Sequence, residues 1–210
     1  MMYLNKALSE YLNDLAAKSP APGGGSAAAL SASIGAALMS MVANYTIGNP
    51  KYKDAEQKSS AILEKSEKYM AKLEGLIDKD VEAYNKLSKG IKEAASDAAE
   101  LDALYKEAVI PPFEMCKIAS ECLKLCGELV DCGNINLITD TAIAAIMLEG
   151  AFFAAKFNVY INLKYIRDIE YIGQIHKILA PLEEELPRLK EEILEKCEDA
   201  ISIQGLDKGS

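Results

Sequence analysis

The stretch from Ser19 to Pro50 contains no charged residue, although 26% of the chain is charged. Small residues recur within it at four-residue spacing, and Ala28, Ala32 and Ala36 share one face of a helix. A helix that is small and uncharged on every side is buried rather than amphipathic. We therefore expect this segment to lie between other helices, in close contact with them or with its own copy in a second subunit.

The same segment is long enough to cross a membrane, but its composition argues against a membrane span. It consists mainly of alanine and serine, and polar side chains such as Ser40, Asn44 and Thr46 lie inside it. Alanine contributes too little transfer free energy to offset these polar groups. We therefore predict a buried core helix without membrane association.

The remainder of the chain shows helical rather than strand patterns. Leu4, Leu8, Leu12 and Leu15 share one face of the first helix, and no hairpin dipeptide lies between β-branched runs. The predicted helices are 3–17, 26–47, 51–89, 92–109, 112–132, 139–166, 169–179 and one that begins at Pro181. Prolines 111 and 112 mark a helix boundary in this prediction. The expected fold is an all-α, single-domain helical bundle over residues 1–204, with a loose tail at 205–210.

Charge and cysteine content exclude several classes of protein. The formal net charge of −9, without any basic run, argues against nucleic-acid binding. Five cysteines and no secretory pattern are typical of reduced thiols in the cytoplasm. Cys122, Cys126 and Cys132 are candidates for a metal site, but no Cys-x-x-Cys pair occurs and the only histidine, His176, is distant in sequence. The expectation is therefore buried thiols, no metal and a cytoplasmic location.

The first candidate for chemistry is the run of Gly23, Gly24, Gly25 and Ser26 at the start of the uncharged helix. The first turn of a helix leaves backbone N–H groups unpaired, and glycine lets a ligand or another backbone approach them. A tight turn with Ser26 as the helix cap explains the run equally well. The run follows neither the dinucleotide-binding nor the P-loop pattern, so nucleotide binding is not expected.

The second candidate is the pair Asp80 and Tyr84, which are four residues apart and share a helix face. A carboxylate next to a phenol can act as a general base with an orienting group. A solvated charged face is the alternative interpretation of this segment.

The third candidate consists of short amides next to apolar segments. Asn134 and Asn136 lie between two predicted helices, where Gly133–Asn134 also suits a helix C-cap and Thr139 or Asp140 the next N-cap. Asn158 and Asn162 share one face of an otherwise apolar helix. Buried amides need hydrogen-bond partners, and a planar ligand is one possibility.

Together and in this order, these segments resemble the cyclodeaminase/cyclohydrolase family of folate enzymes. The matching segments are Pro20–Ser26, Met41–Asn44, Asp80–Tyr84, Gly133–Asn136 with Asp140, and Asn158–Lys164. The resemblance covers roughly residues 5–200 of the chain. The chain has Ile135 where the family often has proline, and Thr139 where it often has serine.

The resemblance implies an all-helical homodimer that binds a reduced folate as its substrate in a cleft near the subunit interface, without a further cofactor. The implied activity is that of a 5,10-methenyltetrahydrofolate cyclohydrolase, which adds water to give 10-formyltetrahydrofolate. A 5-formiminotetrahydrofolate cyclodeaminase, which closes the ring and releases ammonia, is the alternative within the family, and the single domain favours the first. A non-catalytic helical dimer is the alternative outside it, because residues 51–89 show a heptad-like pattern.

The resemblance also suggests roles for individual residues. Asp80 and Asp140 would supply carboxylates, with Asp80 as base or proton shuttle and Tyr84 as its orienting partner. Lys164 would hold a substrate carboxylate or protonate the leaving amine. The residues expected to bind the substrate are Gly23, Gly24, Gly25, Ser26, Asn44, Asn134, Asn136, Asn158 and Asn162.

Overall fold

Every regular element is helical in a computed structural model of the chain, which describes residues 3–93 and 97–202. The α-helices in these ranges are α1 (Leu8–Ala16), α2 (Gly24–Thr46), α3 (Glu56–Glu93), α4 (Ala98–Cys132), α5 (Ile138–Leu163) and α6 (Ile169–Ile201). Short 3₁₀ turns occupy Tyr3–Asn5, Pro50–Ala55 and Ile135–Leu137. The all-α prediction is confirmed, while the predicted tail at 205–210 lies outside the described residues.

The uncharged helix α2 lies in the centre of the bundle. It packs against α3 and α5 and, over a smaller area, against α4. Ala32 and Ala36 are fully buried, and Ala28 nearly so. At Gly35 an added Cβ would lie 2.8 Å from Cγ of Leu148 in α5, so only glycine permits this approach. The prediction of a buried, closely packed helix is confirmed.

Two predicted helix boundaries at prolines are wrong. α4 continues through Pro111 and Pro112, and α6 continues through Pro181. A proline inside a helix removes the N–H that would bond the carbonyl four residues earlier. In α4 the carbonyl left free by Pro112 is that of Ala108, and it accepts a hydrogen bond of 3.1 Å from Asn162 Nδ2 instead. Tertiary contacts therefore keep the helix continuous where local propensity predicts an end.

The N-terminal leucines predict a buried face for α1 that differs from the one the structure buries. Leu4, Leu8 and Leu12 are 45%, 61% and 50% exposed, whereas Tyr11 is buried. The Tyr11 ring meets the Tyr3 ring edge to face, with 5.4 Å between the centroids. The aromatic side chain, rather than the leucine stripe, fixes α1 to the bundle.

Helices α2 and α5 leave an apolar face uncovered, which we call the α2–α5 face. It exposes Ile34 and Tyr45 of α2 together with Ile146, Phe157 and Ile161 of α5. Both helices also contact α4 with their other sides. By length and hydropathy both would qualify as membrane spans, a criterion that core helices also meet, and 61% of the apolar stretch of α2 is buried inside the molecule.

The cysteines of α4 belong to the core. Cys116, Cys122 and Cys126 are fully buried, and burial raises the pKa of Cys116 and of Cys122 to about 12. Cys126 Sγ donates to the carbonyl of Thr141 at 3.4 Å. Residues 3–93 and 97–202 contain no cluster of three potential metal ligands. These thiols therefore contribute to the protein as small apolar groups.

Candidate active site

A cavity of about 250 Å³ opens where the loop before α2 meets α3, α4 and α5. Its walls are formed by Pro20, Ala21, Gly23, Gly24, Gly25, Asp80, Val81, Tyr84, Leu87, Ala108, Asn158, Ile161 and Asn162. The start of α2 thus meets the end of α5, and the two helices run antiparallel. This arrangement brings together three of the predicted segments: the glycine run, the Asp80–Tyr84 pair and the two asparagines of α5.

The glycine run is explained by the approach of Asp80. A Cβ at Gly25 would lie 2.5 Å from Cγ of Asp80, inside the carboxylate. A Cβ at Gly24 would meet nothing closer than Asn158 Nδ2 at 3.8 Å, and one at Gly23 would meet nothing within 4 Å. The steric requirement for glycine therefore falls on Gly25, which lets α3 place a carboxylate against the first turn of α2.

The Asp80 carboxylate lies against the first turn of α2. Burial raises the pKa of Asp80 to about 6, and the backbone N–H of Ser26, acting as a hydrogen-bond donor, opposes part of this rise. The partial positive charge at the start of α2 also favours the ionised form. No neighbouring cation contributes to this pKa. A carboxylate with a pKa just below neutrality is suited to take up and release a proton.

A hydroxyl pair behind this carboxylate was not identified from the sequence. Tyr11 Oη and Ser26 Oγ are 3.1 Å apart and buried. Burial raises the pKa of Tyr11, and the charge of Asp80 adds to that rise, so the phenol lies within electrostatic reach of the carboxylate. The only signal in the sequence was a single aromatic residue among the leucines of α1.

Ser26 is not the helix cap that the sequence offered as an alternative, because Gly23 occupies the N-cap position of α2.

Tyr84 lies one helical turn beyond Asp80 and lines the cavity with 46% of its surface exposed. No hydrogen bond joins the two side chains in the part of the chain that the structure describes. Asp80 lies instead against the first turn of α2, next to the N–H of Ser26 and the open space at Gly25, and an orienting role for Tyr84 stays a prediction. The Tyr84 ring is a wall of the cavity against which a planar ligand can stack.

Asn158 and Asn162 present acceptors at the opposite wall. Asn158 Nδ2 donates to the carbonyl of Ala154 at 2.9 Å. Asn162 Nδ2 donates to the carbonyls of Ala108 and Asn158 at 3.1 and 3.0 Å. Neither side-chain oxygen accepts a hydrogen bond from the described residues, so both are available to a ligand.

Asn134 lies at the other end of α2, where it bonds neighbouring groups of the same chain. Its backbone N–H donates to Thr46 Oγ1 at 2.9 Å, its Nδ2 to the carbonyl of Tyr45 at 3.1 Å, and its Oδ1 accepts from the N–H of Asn136 at 3.1 Å. The 23 residues of α2 separate the two ends by about 35 Å at 1.5 Å per residue. Within one chain, the Asn134–Asn136 segment therefore lies far from the cavity.

Asn44, Asp140 and Lys164 also lie outside the cavity of a single chain. Asn44 is exposed in the last turn of α2, and Asp140 is in the first turn of α5. Lys164 caps the end of α5, with Nζ 5.7 Å from the Tyr165 ring centroid. One chain therefore does not bring Asp80 and Asp140 together, because the antiparallel packing of α2 and α5 puts them at opposite ends of the bundle.

The fold and the cavity describe a helical protein with a half-buried carboxylate at a helix N-terminus, and comparisons with known proteins identify its family. The model of the formiminotransferase-cyclodeaminase family matches residues 7–180. The chain is 35% identical over 205 residues to a methenyltetrahydrofolate cyclohydrolase of Methylorubrum extorquens, covering 94% of this chain and 99% of that protein. The chain belongs to the formiminotransferase-cyclodeaminase family.

Other members of the family are longer, or have solved structures. The chain is 32% identical over 202 residues to the formimidoyltransferase-cyclodeaminase of Sus scrofa, of which it covers only 37%. A crystal structure of formiminotetrahydrofolate cyclodeaminase from Thermotoga maritima superimposes with a TM-score of 0.80 at 31% identity, over 93% of this chain and 96% of that one. The resemblance drawn from the sequence segments is confirmed.

Proposed function

We propose that the protein is a 5,10-methenyltetrahydrofolate cyclohydrolase, which adds water to the methenyl carbon and gives 10-formyltetrahydrofolate. The observation that carries this proposal is Asp80, a half-buried carboxylate at the cavity whose pKa no cation among the described residues lowers. The N5–C–N10 unit of the substrate is an amidinium cation, which such an anion attracts. The match to the cyclohydrolase of M. extorquens over nearly its full length supports the same activity.

The proposed chemistry uses Asp80 as a proton shuttle. The ionised carboxylate takes a proton from water as the water oxygen adds to the methenyl carbon, which gives a neutral carbinolamine. Asp80 then returns that proton to N5 while the C–N5 bond breaks. The hydroxyl oxygen loses its proton to solvent and becomes the formyl carbonyl, so one water is consumed and one proton released. No electrons are transferred, so the reaction calls for no redox cofactor.

The remaining cavity residues would position the folate. Tyr84 offers a ring for stacking against the pterin, and the free oxygens of Asn158 and Asn162 accept hydrogen bonds from its N–H groups. Lys164, which does not line the cavity of one chain, stays the candidate for the glutamate carboxylate of the folate.

The absorbance of 5,10-methenyltetrahydrofolate near neutral pH tests the activity. The wild-type protein is expected to accelerate the loss of the chromophore, and Asp80→Asn to lower kcat about 100-fold or more, the usual size of an acid–base contribution. Glu82→Gln is the matched control, because Glu82 is an exposed carboxylate on the same helix. Near-wild-type turnover by Asp80→Asn would remove Asp80 from the mechanism.

The second candidate is formiminotetrahydrofolate cyclodeaminase, favoured by the solved T. maritima structure of that description. In that reaction N10 attacks the formimino carbon and ammonia leaves, with Asp80 as the group that carries the proton to the leaving nitrogen. Release of ammonia from 5-formiminotetrahydrofolate, without loss of the methenyl chromophore in the first assay, would favour this activity. The named relatives are enzymes, which argues against a non-catalytic helical dimer.

We further propose that the enzyme is a homodimer formed through the α2–α5 face. This face is apolar, and α2 contributes no charge to it. Two copies related by a twofold axis would place the end of α2 and the start of α5 of one chain near the cavity of the other. Asn44, Asn136 and Asp140, which one chain keeps away from Asp80, would then approach the site.

Light scattering after gel filtration tests the dimer. Ile34→Glu places a charge in the α2–α5 face and is expected to give a monomer with reduced activity. Ile178→Glu is the matched control, because Ile178 is equally exposed on α6, 45% against 43% for Ile34. A monomeric wild-type protein, or equal effects of the two substitutions, would contradict the proposed interface.

A further inference from the structure

The surroundings of Asp80 offer it few hydrogen-bond donors. The cavity-lining residues of the other helices are Gly24 and Gly25 of α2, Ala108 of α4, and Asn158, Ile161 and Asn162 of α5. None of these side chains ionises. The titratable side chains that face this region are Tyr84 on the helix of Asp80 and Tyr11 on α1.

Ser26 is the residue next to this carboxylate that carries a hydroxyl. Its backbone N–H already acts as a donor to Asp80. The hydroxyl belongs to the same residue, and the χ1 angle of serine has three staggered positions. The hydroxyl oxygen lies 3.1 Å from Tyr11 Oη. Since Ser26 is fully buried, its hydroxyl needs a protein partner.

We propose that the Ser26 hydroxyl donates to Tyr11 Oη and that Tyr11 is thereby a positioning residue for Asp80: while the phenol oxygen holds the hydroxyl proton, that hydroxyl is not a second donor to the carboxylate. The inference rests on the proposed function, in which Asp80 takes a proton from water. Each hydrogen bond to a carboxylate stabilises its charged form and makes it a weaker base. Tyr11 thereby keeps Asp80 basic enough for proton transfer near neutral pH.

The direct test is the pKa of Asp80, measured by ¹³C NMR of the aspartate carboxyl carbons with Asp80→Asn to assign the signal. Tyr11→Phe removes the phenol oxygen and is expected to lower the pKa of Asp80 by about 1, because the released Ser26 hydroxyl turns to the carboxylate. The double variant Tyr11→Phe with Ser26→Ala lacks that hydroxyl and is expected to return the pKa to the wild-type value.

Tyr3→Phe is the matched control, because Tyr3 packs edge to face on Tyr11 without bonding Ser26, and it is expected to leave the pKa of Asp80 unchanged. Tyr11→Met gives a second variant with the same expectation as Tyr11→Phe, and circular dichroism checks the helix content of each. The acid limb of the pH dependence of kcat/KM is expected to move with the NMR value, and kcat/KM at pH 7 to fall about threefold to tenfold.

An unchanged pKa in folded Tyr11→Phe, or a decrease that persists in the double variant, would overturn the positioning role. Failure of the proposed function is distinguishable from this result. If the NMR changes occur as expected but the wild-type protein converts neither folate, the positioning role stands and the proposed activity is wrong. If the wild-type protein is active but the pKa of Asp80 does not change in Tyr11→Phe, the proposed activity stands and the positioning role is wrong.

Discussion

Near the start of α2, the side-chain oxygens of Asn158 and Asn162 accept no hydrogen bond from residues 3–93 or 97–202. At the end of α2, by contrast, Asn134 uses its backbone N–H, Nδ2 and Oδ1 within the chain. From the sequence, all three amides were equal candidates for substrate binding. The structure separates them by what remains unbonded. An amide next to an apolar segment marks a binding site only when the fold leaves part of its hydrogen-bonding capacity unused.

The two ends also differ in their electrostatic cost. At the start of α2 the fold holds a carboxylate whose pKa is raised by burial, and the close contact requires glycine. At the end of α2, neutral groups satisfy one another. The cavity end therefore holds Asp80, whose raised pKa suits it to proton transfer, whereas the hydrogen bonds at the far end stabilise the fold.

Gly25→Ala tests the cavity end with the largest expected effect. The added methyl group occupies the position of the Asp80 carboxylate and displaces it, and a shift of about 1 Å at a reacting group costs roughly 100-fold in kcat. Gly24→Ala is the matched control, because its Cβ would have ordinary contacts, and a loss of about threefold is expected there. The methenyl absorbance assay measures both losses of kcat. Equal losses in the two variants would show that the contact with Asp80 does not explain why glycine is required at Gly25.

The free energy of unfolding of Asp80→Asn tests whether the carboxylate at the cavity end destabilises the fold. The folded-state pKa of Asp80 is raised from 3.8 to about 6, so ionisation costs folding free energy that is absent below pH 4 and complete above about pH 6. The variant is expected to be more stable than the wild type by up to about 3 kcal/mol at pH 7, with the difference disappearing near pH 4. Urea unfolding at both pH values measures this. A variant that is less stable at pH 7 would mean that the carboxylate is not under strain.

Asn134→Ala tests the far end with the smallest expected effect. Loss of its side-chain hydrogen bonds to Tyr45 and Asn136 is expected to cost about 1–2 kcal/mol of unfolding free energy. The kcat of the folded protein is expected to change less than twofold. A tenfold loss of kcat without loss of stability would instead place Asn134 in the site, through the second subunit.

The sequence was sufficient for the fold class, because helical spacing and the uncharged α2 are local patterns. The three segments that meet at the cavity had alternative interpretations one by one, and only the family resemblance joined them. The sequence was not sufficient to predict that α4 continues through Pro112. The carbonyl that this proline leaves free is bonded by Asn162, which lies 50 positions later in the sequence. Tyr11 was missed for the same reason, since its importance depends on a contact with Ser26 that no local pattern contains.

The hydrogen bond from Asn162 to the carbonyl of Ala108 links two positions whose substitutions cannot be judged separately. Replacing Pro112 by alanine would restore the N–H that bonds this carbonyl within α4, and the amide of Asn162 would then be free to turn a donor toward the cavity. Replacing Asn162 alone would leave the carbonyl unbonded. A library that seeks altered substrate preference in this cavity should therefore vary residues 112 and 162 jointly. The side chain of Asn162 both bonds the backbone of α4 and lines the cavity.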